Sequence, residues 1–257
     1  MPDSSQECSP FDDGELYDAL FHNLDYAIDF YVDRARQAGG PVLELACGTG
    51  RILLPTLLAG VDVDGSDLFD SMLASCRRKA KALGLTPTLY QADMSQFHIP
   101  RRYALITITF NAFIHNLSQS SQIQCLESCR RHLLPGGMLV FDTFFPSLSI
   151  IGAVEGTRVL ECETIHPGTG MPMRLWDTRT FDRVQQIQHS INEIELLDQS
   201  GGIQQVYRHT YSTRYVFRQE MELLLKAAGF ARWDIHGDFH GAPLTREDQA
   251  MIVLAQA

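Results

Sequence analysis

The chain has 257 residues, of which 45% are hydrophobic and 20% are charged, an ordinary composition for a soluble globular protein. Its formal net charge of −10 argues against a broad phosphate-binding surface, and therefore against nucleic acid as a partner. No apolar run is long enough to cross a bilayer, and the N-terminus lacks the basic and apolar regions of a signal peptide. The length predicts one large domain, or one domain that carries an insertion.

The cysteines do not form a CxxC pair, the spacing that is typical of zinc and redox sites. Cys125 and Cys129 lie four residues apart in a predicted helix, but no histidine cluster accompanies them. The sequence therefore predicts free thiols in a reducing cytoplasm and no metal site. The six cysteines are Cys8, Cys47, Cys76, Cys125, Cys129 and Cys162.

Residues 1–40 are predicted to form an N-terminal helical cap. We expect residues 1–10 to be frayed, whereas in residues 11–37 leucine, isoleucine and valine recur every four residues, as in an amphipathic helix. Tyr17 and Tyr26 are interleaved with these apolar positions. Tyrosines at such spacing belong mostly to a core, although a hydroxyl group at the rim can also reach a ligand.

A short apolar strand, Val42 to Leu45, is followed by Gly48-x-Gly50 and by a helix-like run from Ile52 to Leu58. A strand, a glycine turn and a helix form the first half of a nucleotide-binding βαβ unit. The glycines allow a tight turn and a close approach to a ligand, and the open N–H groups of the helix start face that ligand.

Strands and helices alternate five times between residues 41 and 146, which predicts a Rossmann-like, doubly wound parallel sheet. Residues 147–217 then alternate polar and apolar side chains between glycine turns, which predicts about four inserted antiparallel strands that act as a substrate lid or a dimer surface. Residues 218–257 return to the α/β pattern. The later elements are predicted as strands at 61–67, 86–91, 103–110, 138–141, 230–236 and 251–256, and helices at 70–83, 119–134 and 218–228.

Acidic residues follow the predicted strands at the sheet edge where ligands bind in such folds. Asp67 can accept hydrogen bonds from both hydroxyls of a ribose, and Asp93 can accept one from an exocyclic amine. The ring of a base can lie between Leu68 and Met94. Glu44 can brace the glycine loop or meet a cationic ligand. Each acid alone could be a simple strand-end cap, but together with the glycine loop they favour a nucleoside site.

Several nucleotide classes do not fit this pattern. The dinucleotide motif G-x-G-x-x-G is broken because Leu53 occupies the third glycine position. No basic residue follows Asp67 until Arg77, and no G-K-[ST] is present, so NADP and ATP are poor candidates. The acids suit an adenosine that carries a positive charge.

The motifs VLELACGTG (42–50), VDGSDLFDSML (63–73), QADM (91–94) and LLPGGMLVFDTF (133–144) occur in this order. Together they resemble the class I S-adenosylmethionine (SAM) methyltransferases. The resemblance implies a seven-stranded sheet whose last strand is antiparallel, SAM as cofactor, and S-adenosylhomocysteine (SAH) as product.

The resemblance places the methionine part of SAM at residues 46–50, the ribose at Asp67, and the adenine at Asp93 and Met94. The complete set of predicted cofactor residues is Glu44, Ala46, Cys47, Gly48, Thr49, Gly50, Arg51, Asp67, Leu68, Met72, Asp93, Met94, Phe110 and Tyr26.

A closer resemblance is to small-molecule enzymes of the glycine N-methyltransferase type. It rests on the ACGTG loop (46–50) followed by DxxxxML (67–73), on Phe110-Asn-Ala-Phe-Ile-His115, and on the β insertion that returns to a helix and then Gly237-Asp-Phe239. It implies that Asn111 lies near the substrate amine and His115 near the cofactor. One departure is Phe144, which stands where glycine N-methyltransferase carries an arginine that grips the substrate carboxylate. A larger or less charged acceptor than glycine is therefore expected.

The leading hypothesis is methyl transfer from SAM to a nitrogen or oxygen of a small molecule, with His115, Asn111, Tyr17 and Tyr211 as catalytic candidates and His209 as a further candidate base. His115 could instead bond only to the backbone. An RNA or protein methyltransferase is disfavoured by the net charge and by the missing N/D-P-P-Y/F motif. A third alternative is a SAM-binding module without catalysis. The inserted sheet could also pair with a second copy of the chain in a homodimer.

Overall fold

The computed structural model describes residues 13–21 and 24–257 with their side chains, and the backbone of residues 6–7. The chain folds into a seven-stranded sheet flanked by helices and a second, five-stranded sheet. The strands are β1 (Gln6–Glu7), β2 (Val42–Leu45), β3 (Val63–Asp67), β4 (Thr88–Gln91), β5 (Tyr103–Ile108), β6 (Leu133–Phe144), β7 (Arg158–Ile165), β8 (Pro172–Asp182), β9 (Ile187–Leu197), β10 (Ile203–Arg214), β11 (Arg232–His236) and β12 (Ala250–Gln256). The helices are α1 (Gly14–Phe21), α2 (Ile28–Gln37), α3 (Leu53–Leu58), α4 (Asp70–Ala82), α5 (Gln119–His132), α6 (Leu148–Ile151) and α7 (Arg218–Ala227).

The seven-stranded sheet has the order β11-β12-β6-β5-β2-β3-β4. The central strands β2, β3, β5 and β6 run parallel to one another, and β12 is antiparallel to both of its neighbours. The predicted fold class is thereby confirmed. Strands β2 and β3 are buried along their whole length, as expected for parallel strands covered on both faces. Their carboxyl ends meet at one edge, and this edge carries the site.

The predicted antiparallel insertion is also confirmed. Strands β7 to β10 form consecutive antiparallel pairs, and β1 adds to β10 as a parallel neighbour. Helix α1 packs on this sheet through a small apolar cluster in which Leu16 and Leu20 meet Leu175 and Ile194. The insertion is therefore joined to the N-terminal helix as well as to the core.

The N-terminal segment is helical in two parts. The helical pattern predicted over residues 11–37 forms two helices, since α1 ends at Phe21 and α2 begins at Ile28. Ala27 has a left-handed φ of 69°, which an α-helix does not tolerate. Within the stretch expected to be frayed, residues 6–7 pair with Tyr207 and Arg208. Residues 1–5, 8–12 and 22–23 lie outside the described part of the chain.

The fifth strand of the main sheet is longer than predicted. Leu133 pairs with Tyr103 and Met138 pairs with Leu105, so residues 134–137 form a bulge inside β6 instead of a turn before it. Gly136, with φ 77°, supplies the left-handed conformation of that bulge.

The five cysteines in the described part of the chain, all except Cys8, are free. Among the described residues, no helix combines the length and apolar character that a membrane crossing requires.

Candidate active site

The glycine loop leaves β2 in a tight left-handed path, with φ of 52° at Ala46, 56° at Gly48 and 88° at Gly50. The amide of Cys47 donates to the carbonyl oxygen of Ser66 at 2.9 Å, which ties the loop to β3. A Cβ at Gly50 would lie 2.7 Å from the Cys76 sulfur, so this glycine is required by packing. Gly50 does not line the cavity described below.

We expect Gly50→Ala to lower the free energy of unfolding by about 3 kcal/mol, because it adds a steric clash to backbone strain. Gly60→Ala is the matched control, since Gly60 also has a left-handed φ of 78° but has open space where a Cβ would lie. The control should cost only about 1 kcal/mol. Urea denaturation of both variants measures the difference, and equal losses would contradict the packing role.

Asp67 ends β3 and joins it to the glycine loop. Its Oδ2 accepts from the amide of Gly48 at 2.8 Å, and its Oδ1 accepts from the amide of Phe69 at 2.9 Å. Burial raises the pKa of this carboxyl group, while these amide hydrogen bonds act in the opposite direction. A carboxylate oxygen has a second lone pair, so Asp67 can still accept hydrogen bonds from a ligand in the cavity that it lines.

Asp93 follows β4 at the same edge and also lines the cavity. Its Oδ1 accepts from both the amide and the hydroxyl of Ser95, each at 2.7 Å. This arrangement holds the carboxylate in one orientation and leaves acceptor capacity on Oδ2.

Glu44 lies within β2 and is 2% exposed. The Thr109 hydroxyl donates to its Oε1 over 3.4 Å. Burial raises the pKa of Glu44 to about 8, although the positive charge of Arg51 and the Thr109 hydrogen bond oppose this rise. A carboxyl group with this pKa is mostly protonated at neutral pH and can release its proton when a positively charged ligand binds.

The Glu44 pKa predicts a pH dependence of stability. The pKa of Glu44 is about 8 in the folded protein, against an ordinary value of 4.5, so the folded state favours the protonated carboxyl group. The contribution of this group to stability is therefore fully present below pH 4.5 and is lost as the pH rises through 8. We therefore expect Glu44→Gln to remove part of the loss of stability between these values. Urea denaturation of both proteins across this pH range measures it, and parallel pH profiles would refute the shifted pKa.

The segment after β5 is held in an unusual conformation by Asp142, which is buried near the end of β6. Phe110 and Asn111 have left-handed φ values of 58° and 61°. The amide of Phe110 donates to Asp142 Oδ1 at 2.9 Å, and the amide of Asn111 donates to Oδ2 at 3.1 Å. The Tyr31 hydroxyl donates to Oδ1 at 2.5 Å. These bonds compensate for the backbone strain, which costs about 1–3 kcal/mol for each residue.

A short 3₁₀ turn, Ala112–His115, continues this segment and brings Asn111 and His115 to the cavity. The rings of His115 and Tyr211 lie 6.1 Å apart, and Tyr211 stacks on His209 at 5.7 Å. Protein surrounds the His115 ring, which nevertheless remains accessible through the cavity. Burial, followed by the nearby His209, lowers the pKa of His115. Burial raises the pKa of Tyr211, so its hydroxyl is protonated at neutral pH.

Helix α1 closes one side of the cavity and is tied to the glycine loop. The Thr49 hydroxyl donates to Asp18 Oδ1 at 2.5 Å, and Lys79 Nζ donates to Asp18 Oδ2 at 2.8 Å. Tyr17, on the same helix, lines the cavity. Burial raises the Tyr17 pKa well above its ordinary value, so its hydroxyl is also protonated.

Within the described part of the chain, Arg51 is the only lysine or arginine that lines the cavity. Its guanidinium lies 4.4 Å from the centre of the Phe110 ring and donates to the Leu24 carbonyl oxygen at 2.8 Å. The Tyr26 ring also packs against the Arg51 guanidinium and lies 6.1 Å from the Phe110 ring, but Tyr26 does not line the cavity.

The cavity has a volume of about 830 Å³, which is enough for a nucleoside and a second small molecule. With the exceptions of Gly50 and Tyr26, every site residue predicted from sequence lines it. Phe144 lines it as well. Three further polar residues of the inserted sheet also line it, although no sequence motif indicates them: Gln188, Asn192 and Thr213. Their alternating positions on β9 and β10 are the signal that could have identified them.

Residues 42–137 match the family described as "Methyltransferase domain". The chain is 29% identical over 160 residues to the dTDP-3-amino-3,6-dideoxy-alpha-D-glucopyranose N,N-dimethyltransferase of Streptomyces fradiae, an alignment that covers 56% of this chain and 61% of that protein. The chain thus spans less than two thirds of the length of this relative.

Solved structures resemble nearly the whole chain. A SAM-dependent methyltransferase from Clostridium acetobutylicum superposes with a TM-score of 0.76 at 19% identity and covers 95% of this chain and 96% of its own. The CcbJ methyltransferase from Streptomyces caelestis superposes with a TM-score of 0.73 at 26% identity and covers 91% and 94% of the two chains. With its sheet order and its matched domain, the chain has the fold of the class I SAM-dependent methyltransferases and carries a methyltransferase domain at residues 42–137.

Proposed function

We propose that the chain transfers the methyl group of SAM to an amine nitrogen of a small molecule. The observation that carries this proposal is one continuous cavity that runs from Asp67 and Asp93, past Asn111 and His115, to a polar face of the inserted sheet. A nucleoside at one end and an acceptor at the other would then meet beside Asn111 and His115.

The residues at the nucleoside end fit SAM. The oriented carboxylates of Asp67 and Asp93 supply acceptors for ribose hydroxyls and for the adenine amine. Arg51 supplies the positive charge for a methionine carboxylate, and Glu44 lies close enough to Arg51 to balance charge. Bound SAM supplies an activated methyl group on a sulfonium sulfur, so the protein needs mainly to position the acceptor and exclude water.

The acceptor end suits an amine better than a hydroxyl. An amine reacts through its lone pair once it is uncharged, whereas a hydroxyl needs a strong base. Because its pKa is lowered, His115 is neutral at physiological pH and can take the proton of an ammonium group. The protonated hydroxyls of Tyr17 and Tyr211 can donate hydrogen bonds to the acceptor. The Asn111 side chain is positioned by the Asp142 contacts of its backbone.

A relative supports an amino sugar as the acceptor class, since the Streptomyces fradiae protein is named for N,N-dimethylation of one. Phe144 supports an acceptor without a carboxylate at that position, because a phenyl ring cannot form an ion pair.

Incubation with SAM labelled in its methyl group tests the proposal against pooled metabolites, RNA and protein. We expect label on the nitrogen of a small amine. Label on RNA or protein, with the metabolites unlabelled, would contradict it. Tight SAM binding without transfer to any of the three would favour a binding module.

We expect His115→Ala to lower kcat by about tenfold while the SAM dissociation constant changes less than threefold, because the ring serves proton transfer and not cofactor binding. His240→Ala, in an exposed loop, is the control and should leave both quantities unchanged. Steady-state kinetics and calorimetry measure them. An unchanged kcat in His115→Ala would remove the ring from the catalytic step.

Two further expectations belong with this proposal. The edge strand β7 exposes apolar side chains that include Val159 and Ile165. A homodimer through the inserted sheet therefore stays a proposal, and light scattering of the protein in solution tests it.

The free cysteines fit a reducing cytoplasm as the site of action.

A further inference from the structure

One face of the inserted sheet forms the wall of the cavity opposite the glycine loop. Gln188 on β9 lies directly across from Thr213 on β10, and Asn192 on β9 lies directly across from His209 on β10. All four line the cavity, as alternation along paired strands requires for residues on one face. The proposed function does not use Gln188, Asn192 or Thr213.

Thr213 carries an orphaned polar atom in this wall. Its side chain is 4% exposed, and its Oγ1 has no hydrogen-bond partner. Buried hydroxyls nearly always find a partner, so an orphaned one at a cavity wall points to a ligand group. Gln188 donates through Nε2 to the Ser190 hydroxyl at 3.0 Å, which fixes its amide and leaves Oε1 as an acceptor. The pair therefore offers a hydroxyl and an amide oxygen side by side.

The charges around this wall disfavour an anion. Asp177 on β8 is the pairing partner of Asn192 on β9, so it lies on the same face of the sheet. Its side chain is 2% exposed, and its Oδ1 has no hydrogen-bond partner. Arg179 donates to its Oδ2 at 2.6 Å but is shared with Glu161, so the group as a whole is negative. A diphosphate against the wall would meet this field at low dielectric.

On this basis, which rests on the proposed function, we propose that Gln188 and Thr213 form a subsite for the hydroxyl groups of an uncharged polyhydroxylated amine. An amino sugar in a glycoside meets this description, whereas a nucleoside diphosphate sugar does not. The hydroxyls that flank the amine bind to the Gln188–Thr213 pair while the nitrogen lies beside His115. Atoms of the acceptor ring other than the amine are not changed by the reaction.

Two probes with the same amino sugar separate these acceptors. They are methyl 3-amino-3,6-dideoxy-α-D-glucopyranoside and dTDP-3-amino-3,6-dideoxy-α-D-glucopyranose. We expect the glycoside to have a kcat/KM at least about tenfold higher than that of the dTDP sugar, since the wall disfavours the diphosphate. An equal or higher kcat/KM for the dTDP sugar overturns the inference while leaving amine methylation intact. So does a glycoside that is neither methylated nor bound by the protein–SAH complex.

Variants of Thr213 test the subsite itself. Thr213→Val should raise the KM of the glycoside by about tenfold and leave the SAM dissociation constant unchanged, because one hydrogen bond to the acceptor is lost. Thr213→Ser retains the hydroxyl and should restore most of the loss. Thr164→Val is the matched control, since Thr164 also has an unpartnered Oγ1 but lies on β7 away from the cavity. If Thr213→Val behaves like this control, the subsite assignment is wrong.

Discussion

We expect Asp67→Ala to weaken SAM binding by at least about 100-fold, because it removes two charge-assisted hydrogen bonds of about 1.5–3 kcal/mol each to the ribose. The same change also frees the amides of Gly48 and Phe69, which Asp67 holds at 2.8 and 2.9 Å. The glycine loop would then lose one of its connections to the end of β3 and keep the backbone hydrogen bond from Cys47 to Ser66. Isothermal titration calorimetry with SAM measures the affinity.

Asp70→Ala is the matched control for this change. Asp70 lies three residues further on, is exposed at the start of α4, and pairs with Arg77 across 3.2 Å. Its loss should leave SAM affinity within about twofold, since a surface ion pair contributes little. Asp67→Asn should fall between the two because it keeps the shape and one acceptor. An unchanged affinity in Asp67→Ala would refute the ribose assignment.

Asp142→Asn should lower kcat by about 100-fold with SAM affinity changed less than threefold, because misplacing a reacting group by about 1 Å can have an effect of that size. All three partners of Asp142 are donors: the Tyr31 hydroxyl and the amides of Phe110 and Asn111. An asparagine retains one oxygen, but its NH₂ group cannot accept a hydrogen bond. One of the two left-handed residues is then released.

Tyr31→Phe is the control that separates catalysis from stability. It removes the hydroxyl donor to Asp142 but leaves both backbone hydrogen bonds in place. We expect its kcat to stay within about threefold, while its free energy of unfolding falls by about 1–2 kcal/mol. Steady-state kinetics and thermal unfolding distinguish the effects. If the two variants lose kcat equally, the hydrogen bond from the Asn111 amide to Asp142 does not position the catalytic segment.

The parts of the fold that depend on local patterns could be predicted from sequence. The apolar run of β2, the glycines and the acid at Asp67 are neighbours along the chain, and each has a direct physical meaning. The four inserted strands were equally evident, because alternation and glycine turns are local signals.

Other features depend on contacts that are distant along the chain. The apolar spacing of four residues continues through the break between α1 and α2, so periodicity alone cannot detect the left-handed turn at Ala27. The bulge in β6 depends on its pairing with β5. The role of Asp142 cannot be predicted from local sequence, because it depends on a loop 31 and 32 residues earlier in the chain.

The candidate site likewise contains residues that local motifs indicate and residues that only distant contacts place. Positions that a motif fixes, such as Asp93 and His115, were named and do line the cavity. The wall formed by Gln188 and Thr213 was missed, since alternation shows that a strand has two faces but not which face meets the core. Gly50 was assigned to the ligand, whereas the structure places it against Cys76 and Leu54.

A crystal structure of the complex with SAH is the sharpest test of the proposed site. We expect ribose hydroxyls on Asp67, the adenine amine on Asp93, and the sulfur facing Asn111 and His115 with open space toward the wall of the inserted sheet. An adenosine bound away from Asp67, or a sulfur that faces away from His115, would contradict it.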